Sequence, residues 1–262
     1  MRAWQVQRLG DPEQALKLAE VEAPTPARRI REEGRCAGIE RLPDPRLHAL
    51  REGGSSTHHL PDGPRGPASQ GSTKARRDGA RACGRGGVGS AAIQIARAAG
   101  ARAISTAGGP EKVEVCKGLG AETAIDYGEE NFVEVVKEAT EGRGADVIFD
   151  PVDGDVFDGS RRCVAFEGRI VVIGFAGGRS AEAPANHVLV KNYSVVGMHW
   201  GLYTRVMPDL IRSTHEDLMH LYDNGGIDPL ISETVSFEEL PKALNKLGSR
   251  STYGKIITRP AE

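Results

Sequence analysis

Short apolar segments alternate with helical segments through most of the chain after Gly86, and this alternation limits the possible folds more than any other feature. Strands are predicted at 103–107, 123–126, 145–150, 169–174 and 193–197. The segment 169–174 is apolar on both faces, as a central strand of a parallel sheet is. Helices fill the gaps, among them one at 131–139 and one ending near Phe166. The pattern predicts an α/β fold with a Rossmann-type doubly wound parallel sheet.

Both ends of the chain carry further elements. Residues 1–26 are predicted to begin as a β-hairpin, with apolar and polar side chains alternating on each side of a turn at 10–12. One helix is predicted from Pro208 to the glycine pair at 225–226. A second helix opens near Ser236, which has capping-box spacing with Glu239, and ends at Gly248. The segment 253–259 is predicted to be a strand.

Residues 28–85 differ in composition from the rest of the chain. They contain no Val, Phe, Tyr, Trp or Met and are rich in Arg, Gly, Pro and Ser. Their few Ile and Leu side chains cannot offset an ordering cost of about 1–2 kcal/mol per residue. We therefore expect this segment to be largely disordered, and we predict no strand at 76–83.

The run GRGGVG at residues 84–89 is a Gly-x-Gly-x-x-Gly motif that leads into a predicted helix. Glycines let the backbone approach a pyrophosphate, whose charge is stabilised by the N–H groups at the start of the helix. A glycine-rich linker before a helix is the alternative, because the preceding strand is not predicted. No Gly-Lys-Ser/Thr follows, which excludes a P-loop, and the absence of a Tyr-x-x-x-Lys pair disfavours short-chain reductases.

The end of the second predicted strand bears on the choice of cofactor. In NAD-binding proteins an acidic residue at this position binds the ribose hydroxyls. Here the strand ends Ser105-Thr-Ala-Gly-Gly109, and the first carboxylate is that of Glu111. Lys112 could pair with a 2′-phosphate, although a solvated helix position is the alternative for it. The sequence therefore favours NADPH over NADH.

Charge and cysteine content exclude several classes of protein. The formal net charge of −2 gives no reason to expect nucleic acid or a membrane surface as partner. Residues 28–85 carry 13 basic and 7 acidic side chains but lack aromatic platforms for bases. The cysteines at 36, 83, 116 and 163 are scattered, so neither a disulfide framework nor a zinc site is expected. Without an apolar run of about 20 residues or a secretory signal, we expect a cytoplasmic protein.

Four segments together carry a family pattern: GGVGSAAIQIARAAGARAIST, GLGAETAIDY, GRGADVIFDPVDGDVF and GRIVVIGFAGG. With them the chain resembles zeta-crystallin-like NADPH:quinone oxidoreductases, which are zinc-independent medium-chain dehydrogenase/reductases. The resemblance implies a GroES-like β domain, here incomplete, before the Rossmann domain. The implied boundaries are 1–27 for the hairpin of the GroES-like domain, 28–85 for a disordered or frame-shifted segment, 86–230 for the NADP-binding domain, and 231–262 for a helix and strand returning to the catalytic domain.

The resemblance also implies cofactor-binding residues. The pyrophosphate would lie on Gly86, Gly87, Val88 and Gly89, the adenosine phosphate near Thr106 and Lys112, the adenosine side on Tyr127, and the nicotinamide beside Gly174 and Phe175. Core positions are the alternative for Tyr127 and Phe175. No catalytic side chain or metal is implied, because positioning dominates hydride transfer to a conjugated acceptor. Family members form dimers or admit substrate near His199 and Trp200, so a homodimer is also expected.

The implied function is hydride transfer from NADPH to a quinone or similar conjugated carbonyl. The alternatives are an enoyl or acryloyl thioester reductase and a non-catalytic NADPH-binding or dimerisation remnant. A one-base shift across codons 74–85 would give Lys-Pro-Gly-Glu-Thr-Val-Leu-Val-His-Ala-Ala, a strand entering Gly86. A reading-frame slip is therefore one hypothesis for residues 28–85, and an evolved linker is the other. For the chain as written we expect weak NADPH binding and negligible turnover.

Overall fold

The computed structural model describes residues 2–7, 11–20, 78–83, 86–249 and 251–259, and for residues 2 and 78–83 it describes the backbone alone. These residues form two units. The larger unit contains 78–83, 86–230 and 253–255. The smaller unit contains 2–7, 11–20, 231–249, 251–252 and 256–259. The expectations for 28–77 and for Gly84 and Arg85 lie outside the described residues.

The smaller unit begins with two antiparallel strands, β1 (Arg2–Val6) and β2 (Leu16–Glu20). The predicted turn between them contains a short helix, α1 (Pro12–Ala15). This helix forms because the Asp11 side chain accepts a hydrogen bond from the Glu13 N–H and Pro12 has the backbone angle of a first helical residue. The antiparallel hairpin is therefore present, with a helical turn at its tip.

The larger unit is built on a parallel sheet of six strands. They are β3 (Asp78–Cys83), β4 (Arg102–Ala107), β5 (Thr123–Asp126), β6 (Ala145–Asp150), β7 (Val164–Val172) and β8 (Ser194–Gly197). Their order is β5-β4-β3-β6-β7-β8, and each neighbouring pair is parallel. Two sets of three strands run outward from the centre, which is the strand order of a Rossmann fold. The predicted fold class is confirmed.

Helices connect these strands. They are α2 (Gly87–Ala98), α3 (Pro110–Gly118), α4 (Phe132–Ala139), α5 (Asp155–Cys163) and α6 (Ala185–Lys191), followed after β8 by α7 (Trp200–Val206) and α8 (Pro208–Asp223). The start of α4 illustrates a local cause, since the Asn131 side chain accepts a hydrogen bond from the Val133 N–H at 3.1 Å. In the described residues, none of the helices is both long and apolar enough to cross a membrane.

Two clusters of buried side chains cover opposite faces of the sheet. Ile104 of β4 belongs to one cluster, with Val136 of α4, whereas Ala103 and Ala107 belong to the other, with Ile93 of α2. Successive side chains of a strand point to opposite faces, so the clusters lie on opposite sides of β4. The sheet is thus buried on both faces, as a parallel sheet between helices normally is.

Strand β3 is the largest departure from the sequence-based expectation. The backbone of residues 78–83 lies in the middle of the sheet, where Arg81 is in register with Ile104 of β4 and with Ile148 of β6. Strand pairing uses backbone N–H and C=O groups, and the two neighbouring strands supply these on both sides. Tertiary context therefore overrides weak strand propensity here, and the prediction of no strand at 76–83 is wrong.

The boundary between α5 and β7 is also different from the prediction. The helix was expected to end near Phe166, but it ends at Cys163 and β7 begins at Val164. Within β7, Glu167 has a φ of 57°. The pairing with β6 shifts register in the same region, between Ala145 and Val147. Because of this irregularity, the first residues of β7 do not show a regular strand pattern in the sequence, and the prediction began the strand too late.

The C-terminal part of the smaller unit contains β9 (Ile231–Val235), a 3-10 turn at Phe237–Glu239, α9 (Leu240–Gly248) and β10 (Lys255–Thr258), with β9 and β10 paired. The predicted capping box is confirmed, and Ser236 donates its N–H to the Glu239 carboxylate at 3.0 Å. This part packs on the N-terminal hairpin, because the Trp4 indole N–H donates to the Phe237 carbonyl at 2.8 Å.

Candidate nucleotide-binding site

The site lies at the carboxyl ends of β3 and β6. On one side of β3 lie β4 and then β5. On its other side lie β6, β7 and β8, so the strand order reverses between β3 and β6. In open α/β sheets the crevice at such a reversal is where ligands bind. The segment after β3 is the glycine motif, and the segment after β6 begins at Pro151. These two segments therefore border the crevice.

The glycine motif forms the start of α2. Gly86 precedes the helix, and Gly87, Val88 and Gly89 form its first turn. The first N–H groups of a helix have no partner within it and carry a partial positive charge. Gly86 is exposed, and no described atom lies within 4 Å of the place where a Cβ would be. The backbone at Gly86 is therefore open to a ligand, as the expected pyrophosphate role requires.

Gly254 and Lys255, which were not predicted as site residues, lie beside the glycine motif. Gly86 and Gly254 form an isolated parallel β-bridge. A Cβ built on Gly87 would lie 3.1 Å from Nζ of Lys255 and 3.6 Å from the carbonyl oxygen of Gly254. The only local signal is a Gly-Lys pair at the start of the last strand. Such a pair does not reveal that it meets a loop near residue 86.

Tyr127 and Gly108 lie together at the tip of β4, where the sequence predicts the adenosine side of the cofactor. A Cβ on Gly108 would lie 2.6 Å from the Tyr127 hydroxyl, so the tyrosine lies over this glycine at the tip of β4. Tyr127 is 53% exposed and is not a core residue. Thr106, two positions before Gly108, is buried within the sheet, and Lys112 lies half-buried in α3. The structure thus brings Tyr127 and the β4 tip together and leaves Thr106 beneath them.

A carboxylate that was not predicted also lies at this tip. Oδ1 of Asp126 accepts hydrogen bonds from the N–H of Gly109 at 3.1 Å and from that of Gly128 at 3.0 Å. Asp126 ends β5, the neighbouring strand, and not β4. The Asp126 carboxylate therefore holds the β4–α3 turn in place through hydrogen bonds from backbone N–H groups. The signal in the sequence is the Asp-Tyr-Gly run, which is typical of a turn.

The loops after β6 and β7 are joined by backbone hydrogen bonds. The N–H groups of Ala176 and Gly177 donate to the carbonyl oxygens of Pro151 and Val152, at 3.2 and 2.7 Å. Gly174 lies so close that a Cβ there would be 3.1 Å from the Pro151 oxygen. Phe175, next in the chain, is 68% exposed. These loops form a fixed rim beside β6, on which Phe175 is free to contact a ligand.

Asp150 holds the first of these loops and was missed by the sequence analysis. It is 1% exposed, and its Oδ1 accepts the N–H groups of Val152 and Asp153, both at 2.9 Å. Its Oδ2 is buried and has no hydrogen-bond partner among the described residues. An acidic residue at the end of an apolar strand, followed by proline, is the sequence signal for such a turn.

Charged side chains fasten the second loop to α5. The Arg179 guanidinium donates to the carboxylates of Asp155 and Asp158. Hydrogen bonds from Arg161 and then from Arg179 hold the pKa of Asp158 below its ordinary value of 3.8. The Asp155 pair is exposed to solvent, so this network adds little stability and mainly fixes the position of the loop.

The described part of the chain includes two cysteine side chains, and both belong to the core. Cys116 and Cys163 are buried in the two clusters on the sheet faces, which include no residue of the glycine motif, and they are not joined in a disulfide. Among the described residues, no group of three His, Cys, Asp or Glu side chains could hold a metal ion.

Comparisons with known proteins agree on one family. The sequence profile described as "Zinc-binding dehydrogenase" matches residues 87–216. A quinone oxidoreductase-like protein 2 homolog from Nematostella vectensis is 35% identical over 173 residues, 66% of this chain and 47% of that protein. The chain spans about half the length of the curated relatives it matches.

Solved structures give the same result. A quinone oxidoreductase from Pseudomonas syringae pv. Tomato DC3000 has 30% identity and a TM-score of 0.64, covering 72% of this chain and 58% of that one. An Escherichia coli quinone oxidoreductase complexed with NADPH has 26% identity and a TM-score of 0.63, covering 70% and 57%. Together with the strand order and the glycine motif, these matches place the chain in the zinc-independent, quinone oxidoreductase-like branch of the medium-chain dehydrogenase/reductase family.

Proposed function

We propose that this chain is an NADPH-dependent oxidoreductase that reduces a quinone or a similar conjugated carbonyl compound. One observation carries the proposal: the glycine motif opens α2 at the reversal point of the sheet, after β3, and the fixed rim follows the neighbouring strand β6. This arrangement suits a dinucleotide that extends from the β4 tip to the rim. The presence of β3 supplies the strand that the motif requires, which removes one reason to expect weak binding.

Each part of the site has a role in this proposal. The N–H groups at Gly86–Gly89 bind the pyrophosphate, and Tyr127 covers the adenosine side with Thr106 and Lys112 nearby. Gly174 and Phe175 border the nicotinamide and exclude water from one side of it. When bound, NADPH supplies the hydride. In this proposal the side chains bind and orient NADPH. The geometry of the bound cofactor, and not proton transfer from a side-chain acid, would then determine the rate of hydride transfer.

The preference for NADPH rests on the β4 tip. In NAD-binding proteins the repelling carboxylate ends the second strand itself, whereas here β4 ends at Ala107, followed by Gly108 and Gly109, and the carboxylate at the tip, Asp126, belongs to β5. Oδ1 of Asp126 is directed to the backbone N–H groups of Gly109 and Gly128. The relative from Escherichia coli, whose structure contains NADPH, supports the same choice.

Titration and turnover test the proposal in sequence. The purified chain is titrated with NADPH and with NADH by nicotinamide fluorescence, and turnover is then measured with a benzoquinone and with a crotonyl thioester. Tighter NADPH binding with quinone turnover supports the proposal. Preferential thioester turnover would make the chain an enoyl reductase, and NADPH binding without turnover of either acceptor would make it a non-catalytic remnant. Failure to bind either dinucleotide would refute the nucleotide-binding role.

We further propose that the chain forms a homodimer through β8. This strand is the last of the sheet order, so one edge of it is unpaired among the described residues. Large apolar side chains lie near its start: Leu189 and Val190 are 79% and 84% exposed, and the Glu167 N–H donates to the Asn192 carbonyl, which places Phe166 near them. Two copies pairing edge to edge would cover this patch.

Light scattering after size exclusion measures the oligomeric state. Val190→Glu should shift the chain from dimer to monomer, whereas Met219→Glu, on α8, should not. A wild-type chain that is monomeric at all concentrations would exclude the dimer.

A cytoplasmic location stays a prediction.

A further inference from the structure

Lys255 lies against the glycine motif although it comes from the last strand of the chain. Its Cγ and Nζ would lie 3.4 and 3.1 Å from a Cβ on Gly87, so the whole side chain runs along the backbone of this residue. The ammonium group is therefore close to the first turn of α2, where the pyrophosphate is expected. The sequence analysis assigned no charged side chain to this part of the site.

The backbone fixes Lys255 in this position. Its N–H donates to the Leu230 carbonyl at 2.9 Å. The preceding Gly254 has a φ of 60°, and a Cβ there would lie within clashing distance of the Leu230 oxygen. Only glycine fits both the angle and the space. The bridge from Gly254 to Gly86 then sets the distance between the lysine and the glycine motif.

We propose that Lys255 is a cofactor-binding residue whose ammonium group neutralises the diphosphate of the dinucleotide. This inference rests on the proposed function. A dinucleotide diphosphate carries two negative charges, and helix N–H groups supply partial positive charge only. A full cation held beside them adds a charge-assisted interaction, which is stronger than a neutral hydrogen bond. Lys112 lies in α3, after the β4 tip, and so serves the 2′-phosphate and not the diphosphate.

Three variants of the full chain test this role: Lys255→Gln removes the charge, Lys255→Arg keeps it, and Lys17→Gln changes an exposed lysine of the smaller unit as control. NADPH dissociation constants are measured by fluorescence, and ADP and adenosine are measured as competitors. Lys255→Gln should weaken NADPH and ADP about tenfold and leave adenosine unchanged. Lys255→Arg and Lys17→Gln should bind like the wild type. The melting temperature without ligand reports any structural effect of each substitution.

The outcomes separate the two proposals. If the wild type binds NADPH and Lys255→Gln binds NADPH and ADP equally well, the role of Lys255 is overturned and the proposed function stands. Equal weakening of ADP and adenosine would show that the lysine acts on the fold of the site and not on the diphosphate, which also overturns the inference. If the wild type binds no dinucleotide, the proposed function fails and this inference falls with it.

Discussion

The side chain of Gln94 makes two hydrogen bonds with the backbone of Asp228: its Nε2 donates to the carbonyl oxygen at 2.8 Å, and its Oε1 accepts the N–H at 2.6 Å. Gln94 is 4% exposed on α2, and Asp228 is in the segment that leads to Leu230. The pair therefore ties the segment that accepts the Lys255 N–H to the helix that begins with the glycine motif.

Replacing this glutamine should loosen that segment. Gln94→Leu keeps the apolar volume but leaves the N–H and C=O of Asp228 without these partners, at a cost of about 1–2 kcal/mol. The melting temperature should fall by about 2–8 °C. Gln5→Leu, at an exposed position of β1, is the control and should change it little. Equal melting temperatures for both variants would contradict the prediction.

Asp150 should be sensitive to the loss of its acceptor oxygen. Asp150→Ala leaves two N–H groups unpaired and should lower the free energy of unfolding by about 2–4 kcal/mol. Asp150→Asn keeps one acceptor oxygen, so a smaller loss is expected. Urea denaturation of the two variants measures the difference. If Asn were as damaging as Ala, the charge and not the pair of hydrogen bonds would be the important feature.

Gly108→Ala tests the contact at the adenosine side. A methyl group there would meet the Tyr127 hydroxyl at 2.6 Å, and because this is the end of an exposed side chain, the tyrosine should move aside. Stability should change by less than about 1 kcal/mol, while NADPH affinity should fall several-fold. Tyr127→Ala should weaken NADPH similarly, and the double variant should be no worse than either single one. Additive losses would show that the two residues act separately.

His187 predicts a pH dependence of stability. Burial, followed by the charges of Arg161 and Lys191, lowers the pKa of His187 below its ordinary value of 6.5. The unfolded chain therefore binds more protons than the folded chain between the two pKa values, so stability rises with pH there. The contribution of neutral His187 to stability should be fully present above pH 6.5 and should fall as the pH drops below 6.5. It should level off below the pKa that His187 has in the folded chain.

The ring also has a partner, because its Nδ1 lies 3.2 Å from the Tyr193 hydroxyl, and burial raises the pKa of that phenol. Unfolding free energies of wild type and His187→Asn, measured from about pH 5 to 8, should converge at the acid end. Asp158, whose pKa is lowered from 3.8, acts in a separate and more acidic window. A constant difference between the two proteins across this range would disprove the assignment.

Strand β3 offers a test of the reading-frame hypothesis. Replacing residues 75–85 with the eleven residues Lys-Pro-Gly-Glu-Thr-Val-Leu-Val-His-Ala-Ala keeps the length and puts Val and Leu at 80–82, in a strand that is paired on both sides; this should raise the free energy of unfolding by about 2–4 kcal/mol. The matched control carries Ser-Gly-Ser in place of Val-Leu-Val. No gain over the control would favour an evolved segment. Resequencing the gene across codons 27–86 examines the slip directly.

Local patterns were sufficient for much of the fold. The bounds of β5 and β6 were predicted as the structure has them, since each is a short apolar run flanked by turn residues. The capping box at Ser236 was equally readable, because all of its contacts lie within four residues. The parallel, doubly wound arrangement of the sheet then followed from the alternation of strands and helices.

Long-range contacts could not be predicted in this way. Residues 78–83 form a strand because β4 and β6 lie on both sides of them, and their own composition gives no sign of it. Lys255 reaches the glycine motif through a bridge between residues distant in sequence. Asp150 is identifiable as a turn residue, but its burial depends on the loop from β7 that covers it.

The bridge between Gly86 and Gly254 also has a consequence for the order of folding. Closing a contact between residues so distant in sequence costs more chain entropy than pairing nearby strands, so we expect the bridge to form after the strands between them have paired. The sheet can then be formed while the glycine motif still lacks its neighbour. A protein preparation could therefore show full secondary structure by circular dichroism and still contain molecules unable to take up a ligand. Protection from hydrogen exchange at Gly254 and Lys255, and not helix content, would mark completion of folding.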